Sequence, residues 1–332
     1  MKALLCTSLN GDLDSLALVD MNLGDLEPDT VRIRVHAASV NFPDLLMTEG
    51  KYQFRPEPPY VVGGEAAGEV IAVGEAVCRF RIGDRVVGGG LTGGFAQELQ
   101  RPESAFRPIP GDADFASAAA FTTAYLTAHV ALVRRARIEP GEWLLVHGAA
   151  GGMGLAAVDL GRHLGARVIA TASSQTKRDV LLQYGAEHVM APTEFRERVK
   201  AITDGRGADV IYDPVGGDVF DESTRCIAFD GRLLIVGFTS GRIPTVSVNM
   251  PLIKGFSVVG VRAGEYGRRF PDRGRENIAT IDRLLSERSI RPYIGARFPL
   301  THAVEAMKTL RDRTIIGKAI IEPSFEPAFT QL

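Results

Sequence analysis

The sequence predicts an α/β protein in which a doubly wound parallel sheet follows a compact β-barrel-like domain. Two patterns predict it. The first ~120 residues hold short β-branched runs punctuated by glycine and proline. From Trp143 onward strand-like and helix-like segments alternate, and parallel strands need such crossover helices. The 332-residue length suits two domains, and 45% apolar with 23% charged residues is the composition of an ordinary folded protein.

In the first region Val31-Arg32-Ile33-Arg34-Val35 alternates apolar and charged side chains, as a half-buried strand does. Gly68 to Gly74 and Asp84 to Gly88 are further short β-branched runs closed by glycine. A long apolar-periodic stretch from Ala118 to Leu132 predicts a helix. The alternation then gives a strand at Trp143 to His147, a helix at Gly152 to Leu164, a strand at Arg167 to Thr171 and a helix at Gln175 to Tyr184. Val189 marks the next strand. It is followed by a helix at Phe195 to Ile202, a strand at Asp209 to Tyr212 and a helix at Val219 to Ala228. Arg232 to Val236 and Val258 to Val261 supply later strands. A helix from Glu276 to Glu287, another around His302 to Arg311 and a strand at Lys318 to Ile321 form a tail expected to return to the first domain.

The formal net charge is −2, from 38 basic and 40 acidic residues evenly mixed, which gives no footprint for nucleic acid or an anionic membrane. The densest basic stretches, Arg134-Arg135-Ala136-Arg137 and Arg262 to Arg275, read as a solvated helix end and a solvated loop. Met1 to Cys6 runs straight into Thr7 and Ser8, too short for a secretory signal. No apolar run approaches the ~20 residues of a membrane span. Cys6, Cys78 and Cys226 are far apart and fit reduced thiols, so the expected compartment is the cytoplasm.

The sharpest local signal is Val146-His147-Gly148-Ala149-Ala150-Gly151-Gly152-Met153-Gly154: an apolar strand enters, small residues turn, and a helix leaves. Residues 149, 151 and 154 have the spacing of the G-x-G-x-x-G fingerprint, with Ala149 in place of the first glycine. Gly151 would let backbone approach a pyrophosphate, and Gly154 would let the helix pack on the strand. Backbone N–H groups from Ala150 to Gly154 at the helix start would bind the phosphates, aided by the helix dipole. The competing reading is a glycine-rich helix start that serves packing only.

A site for NAD places Asp or Glu ~20 residues after the glycines, to hold the ribose hydroxyls. Here the strand ending at Thr171 runs into Ala172-Ser173-Ser174-Gln175-Thr176-Lys177-Arg178, which has no acid. Small hydroxyl residues and two cations suit a 2′-phosphate instead. The expected cofactor is therefore NADPH, with Ser173, Ser174 and Lys177 as phosphate contacts. Lys177 and Arg178 are otherwise solvated helix cations.

No two cysteines are spaced for a structural zinc, and the six histidines show no ligand-like spacing, so no metal is expected. Neither a G-x-S-x-G elbow nor H-E-x-x-H occurs, which leaves a hydrolase unsupported.

The chain resembles the medium-chain dehydrogenase/reductase superfamily, in its zinc-free quinone oxidoreductase (zeta-crystallin-like) branch. The resemblance rests on Val40-Asn41-Phe42-Pro43-Asp44, Gly63-Gly64-Glu65-Ala66-Ala67-Gly68, Phe80 to Val86, the turn at Ala149 to Gly154, and Asp213-Pro214-Val215-Gly216-Gly217. It implies a GroES-like catalytic domain over 1–120, a Rossmann-type NADPH-binding domain over 121–262, and a C-terminal return over 263–332 that completes the first. Zinc-dependent relatives carry a catalytic Cys where this chain has Asn41, and His where it has Gly64. The resemblance also implies that Asn41 and Tyr52 face the nicotinamide and substrate. It places Thr123 near the nicotinamide ribose, Gly237 and Phe238 beside the cofactor, Val261 and Arg262 at the edge of the cofactor site, and Lys318 reaching the cofactor. Bland readings stand beside these: Tyr52 as a surface loop residue, Asn41 as a turn former, Arg262 as a solvated charge.

The expected activity is NADPH-dependent reduction of a quinone, with Tyr52 or Asn41 hydrogen-bonded to the developing oxyanion. A conjugated enal, enone or enoyl thioester presents the same electrophile, and Lys51, Tyr52 and Arg55 suit a carboxylate or thioester tail. A different class of reading is a non-catalytic NADPH-binding or crystallin-like protein. No nucleic-acid or membrane partner is expected. The resemblance favours a homodimer, through edge-strand pairing around Val258 to Val261.

Overall fold

The computed structural model describes residues 1–323. In chain order the first elements are β1 (Lys2–Cys6), β2 (Ala17–Asp20), β3 (Thr30–Ser39), α1 (Phe42–Thr48), β4 (Tyr60–Val61) and β5 (Glu65–Val73). Then come β6 (Arg85–Gly89), β7 (Glu98–Pro102), β8 (Phe106–Pro108) and α2 (Phe115–His129). The alternating part has β9 (Trp143–Val146), α3 (Gly152–His163), β10 (Arg167–Thr171), α4 (Gln175–Gln183), β11 (His188–Met190) and α5 (Phe195–Ile202). It continues with β12 (Ala208–Asp213), α6 (Gly217–Ser223), β13 (Ile227–Ile235), α7 (Asn249–Lys254) and β14 (Ser257–Gly260). Last are α8 (Ala263–Arg269), α9 (Pro271–Ser286), β15 (Ile294–Pro299), α10 (Ala303–Arg311) and β16 (Lys318–Glu322).

Two compact units result, the first from Met1–Thr122 with the chain from Tyr293 onward, the second from Thr123–Pro292. In the first, β15-β16-β3-β5-β6-β8 form a sheet with β7 also on β3, and β2-β1-β4 form a smaller one. Its strands bury alternate side chains: Val31, Ile33 and Val35 of β3 point into a core with Val70, Val86, Phe95 and Leu99. The tail joins here through β16, which pairs antiparallel with β3 so that Ile320 faces Ser39.

The second unit is a parallel sheet in the order β11-β10-β9-β12-β13-β14. Succession runs outward from β9 to β11, then jumps to β12 on the other side of β9. That makes the carboxyl ends of β9 and β12 the topological switch point, where open sheets of this kind bind ligands. β9 is an unbroken apolar run, Trp143 to Val146, buried on both faces as a central parallel strand must be.

Several expectations need correction. The helix read at Val219 to Ala228 stops at Ser223, because Ile227 and Ala228 enter β13 and Ile227 pairs with Ala208. The stretch from Arg262 to Arg275, read as a loop, forms α8 and most of the first half of α9. Its glycines are a helix crossing: a Cβ on Gly274 would lie 2.9 Å from the Gly267 Cα. Both helices belong to the second unit, so the return begins at Tyr293 and not at 263. The expectation about apolar length also fails. Helix α2 continues as a wider π-helical segment to Ala136, and Phe115–Ala136 is 22 residues long and apolar enough to cross a bilayer by length and composition. Of that window 67% is buried inside the molecule, as in a core helix.

Candidate active site

The turn after β9 owes its shape to Gly148. Gly148 has φ +55°, the left-handed region that costs a side-chain-bearing residue energy. The tight bend thus falls one position before Ala149, which explains why the fingerprint tolerates alanine there. Gly151 N–H donates to Gly148 O (3.1 Å), and Ala149 N–H donates to Thr171 O (3.1 Å), tying the turn to β10. Helix α3 then starts at Gly152, and the N–H groups of Gly152, Met153 and Gly154 have no acceptor within the helix.

The other two glycines of the fingerprint differ in what demands them. A Cβ on Gly154 would lie 2.5 Å from both Ala149 Cα and Gly148 O, so the fold itself excludes a side chain. A Cβ on Gly151 would meet nothing closer than Gly148 O at 3.5 Å, an ordinary contact, and Gly151 has an extended φ of −78°. Nothing among the described residues requires glycine there. An approaching ligand would, and the open space suits a pyrophosphate.

Beyond β10, Ser174 caps α4, its Oγ accepting from Lys177 N–H (3.3 Å). The Arg178 guanidinium donates to Ala172 O (2.9 Å) and Gln175 Oε1 (3.1 Å). Arg178 thus shapes the loop, and half-buried Lys177 follows exposed Ser173 and Ser174. At the end of β12, buried Asp213 accepts at Oδ1 from Val215 N–H (2.8 Å) and Gly216 N–H (2.9 Å), and burial pushes its carboxyl up. Gly237 and Phe238 follow the carboxyl end of β13; a Cβ on Gly237 would lie 3.2 Å from Pro214 O. Val261 donates to Ile235 O (2.9 Å) just past β14, and exposed Arg262 precedes α8. These residues share the carboxyl edge with the turn. Thr123 lies on α2, its carbonyl accepting from Thr127 Oγ1 (2.8 Å).

In the first unit two strand registers converge on one point. Ser39 faces Ile320, and the antiparallel register carried two residues on brings Lys318 to Asn41. The pairing of Ala38 with Ala66 brings Glu65 to Ser39 in the same way. Lys318 Nζ donates to Asn41 Oδ1 (2.6 Å) and lies 4.0 Å from Glu65. Asn41 Nδ2 is directed at Ser39 O (3.2 Å), Ser39 Oγ (3.1 Å) and Glu65 Oε2 (3.2 Å), and Ser39 Oγ donates to Glu65 Oε2 (2.8 Å). All four residues are buried.

Both amide hydrogens of Asn41 are thus engaged inside the cluster, and its expected role as oxyanion donor gives way to that of a mount for Lys318. Tyr52 lies apart from the cluster's hydrogen bonds, half-buried after α1, its ring against the core of the first unit. Lys51, expected beside it as an anion contact, pairs with Glu49 (2.9 Å). Sequence reading missed Ser39 as a member; Asp44 and Glu65 stood in quoted motifs without a role.

Asp44 completes the electrostatics. Its Oδ2 accepts from Asn41 N–H (2.7 Å), and burial pushes its carboxyl up to about 7, with Lys318 opposing and Glu65 adding to the rise. Burial likewise lowers the Lys318 ammonium, against the pull of Glu65 and Asp44. This donor set does not fit a zinc ion. A cation already sits against the amide and carboxylate, and among the described residues no three His, Cys, Asp or Glu side chains are grouped to hold a metal.

Residues 27–112 match the family described as alcohol dehydrogenase GroES-like domain, and residues 152–281 match zinc-binding dehydrogenase. Quinone oxidoreductase-like protein 2 homolog of Nematostella vectensis is 40% identical over 90% of this chain and 82% of its own length. The Escherichia coli quinone oxidoreductase, solved in complex with NADPH, superposes with a TM-score of 0.89 at 28% identity, covering 97% of this chain and 100% of that one. The Thermus thermophilus quinone oxidoreductase gives a TM-score of 0.83 at 33% identity, with 97% and 100% covered.

Two expected outcomes follow from this geometry. Gly154→Ala should lower the melting temperature steeply, whereas Gly151→Ala should melt like the wild type yet lose most dinucleotide binding in a fluorescence titration. Asp44 holds its proton more tightly folded than unfolded, so its contribution to stability is present below about pH 4 and lost as pH rises through about 7. Asp44→Asn lacks this titration, so melting curves should show its advantage over the wild type growing across that window; parallel curves would contradict the burial argument.

Proposed function

Since the chain belongs to the medium-chain dehydrogenase/reductase superfamily, in its quinone oxidoreductase branch, we propose that it transfers hydride from NADPH to a quinone without a metal ion. The observation that carries the cofactor reading is Gly151, a glycine that only a ligand needs. NADPH, when bound, supplies the hydride from its nicotinamide. The chain's own residues bind and orient. Ala150 and Gly151 line the pyrophosphate turn, and the N–H groups of Gly152, Met153 and Gly154 donate to the phosphates. Ser173, Ser174 and Lys177 hold the 2′-phosphate, where no carboxylate repels it. Thr123, Gly237, Phe238, Val261 and Arg262 complete the cofactor surface.

In the first unit Tyr52 is the hydrogen-bond donor for the acceptor oxygen as it gains charge, and the Lys318 ammonium adds the positive field. Asn41 keeps that ammonium in place, and Glu65 with Asp44 opposes the burial that disfavours its charge. A second reading, reduction of an enal, enone or enoyl thioester, uses the same groups, with exposed Arg55 as the anchor for an anionic tail.

What supports a homodimer is the far edge of the second unit. β14 ends the sheet and pairs only with β13 among the described strands. Beside it, α7 buries no side chain, and Val248 (86%), Leu252 (82%) and Ile253 (72%) are exposed. An apolar patch next to an open strand edge is an association surface, and a second copy offers the matching edge. The three free cysteines support the cytoplasm as compartment.

Lys177→Ala should raise the KM for NADPH about tenfold, the worth of one charge-assisted hydrogen bond, with little change for NADH. Equal effects on the two would reject the phosphate assignment. Steady-state rates with a panel of quinones and enoyl compounds separate the two substrate readings, and cofactor binding without turnover on any acceptor would leave a non-catalytic protein. Light scattering should give a dimer that Leu252→Glu with Ile253→Glu converts to monomer; a wild-type monomer removes the assignment.

A further inference from the structure

His147 sits directly before the phosphate turn, and neither the hydride chemistry nor the pyrophosphate contacts use it. Its ring is fully buried. Nδ1 lies 3.1 Å from Thr171 Oγ1 and Nε2 lies 2.9 Å from Ser223 Oγ, so one side chain bridges the end of β9 to the end of β10 and to α6. The edge of the ring meets Phe195 of α5 at a centroid distance of 4.6 Å. Its own N–H donates to Tyr212 O (3.0 Å) on β12. His147 therefore ties the end of β9 to β10, β12, α5 and α6.

The hydrogen-bond directions follow from Ser223. That hydroxyl has one hydrogen and donates it to Val219 O at 2.7 Å. Towards the ring it can only accept, so Nε2 carries the proton and Nδ1 accepts from Thr171 Oγ1. The ring is neutral as well as oriented: burial alone drives its pKa down to about 3. Rotation of the imidazole away from this orientation would break both bonds.

The two positions joined are the roots of the two phosphate anchors. Gly148 to Gly151 follow His147, and Ala172 to Lys177 follow Thr171. We propose that His147 is a positioning residue that fixes the spacing between the pyrophosphate turn and the 2′-phosphate loop, and thereby sets the preference for NADPH over NADH. The inference rests on the NADPH reading above. A ligand held at both anchors gains from their fixed spacing because it does not have to order them on binding. NADH engages the turn but has no phosphate for the loop, so it gains little.

The test measures binding of NADPH and NADH by dinucleotide fluorescence, with steady-state KM and kcat, on the full-length protein. His147→Phe removes both hydrogen bonds and keeps the ring volume. It should weaken NADPH about tenfold, the loss expected for one to two hydrogen bonds' worth of preorganisation, and NADH far less. The KM for NADPH should rise while kcat at saturating NADPH stays within about twofold. His147→Gln, which can still donate and accept, should recover part of the preference. Thr171→Val cuts only the β10 bond and should reproduce the loss; it decides the matter if His147→Phe does not fold. Equal weakening of the two cofactors, or an unchanged ratio in a folded variant, overturns the proposal and leaves His147 a packing residue. A wild type that binds NADPH no better than NADH overturns the cofactor reading itself.

Discussion

The contact between Gly154 and the backbone of Gly148 and Ala149 governs the second unit. With backbone 2.5 Å from where a Cβ would stand, α3 is drawn onto the turn as closely as sterics allow. That approach aims the unsatisfied N–H groups of the first helical turn out over the carboxyl edge of the sheet. The left-handed Gly148 makes the bend, and the Ala149–Thr171 bond fixes it to the neighbouring strand. Gly151, by contrast, is held to glycine by no described neighbour, which is what the proposed pyrophosphate site needs. Steric necessity at one glycine and steric tolerance at another, three residues apart, separate what the fold needs from what the function needs.

A different constraint governs the first unit. Two carboxylates, Asp44 and Glu65, and one ammonium, Lys318, are buried within one cluster with the Asn41 amide between them. Buried charge is tolerated only when paired and hydrogen-bonded, so burial, with Glu65 adding to it, favours a protonated Asp44. The same arrangement suits a lysine ammonium better than a zinc ion, in a chain that matches a family described by zinc. The place is filled by a cation with its own ligands, carried on a strand from the end of the chain.

Much of the second unit was legible in the sequence because its signals are local. Arg167 to Thr171 and Phe195 to Ile202 match the observed β10 and α5 residue for residue, since a short apolar strand and an amphipathic helix each declare their own period. The errors came where one residue type serves two ends. The basic run from Arg262 to Arg275 suggested a loop and proved to be two helices that cross at Gly267 and Gly274, and Ile227 fitted a helix but was taken by a strand partner. Helix α1 went unread, with Asn41 given only as a possible turn former; Asn41 caps the helix, and Pro43 stands in its first turn, where its missing N–H is harmless.

The amino-acid sequence by itself determined the βαβ alternation, the phosphate turn and the acid-free loop, because each depends on neighbours a few residues away. Only the tertiary structure decided that Lys318 meets Asn41 across 277 residues, that Asn41 has no hydrogen left to donate, and that His147 joins Thr171 to Ser223. Those contacts arise from strand register and helix docking. Register is set by the whole pattern of buried faces, and no single segment carries it.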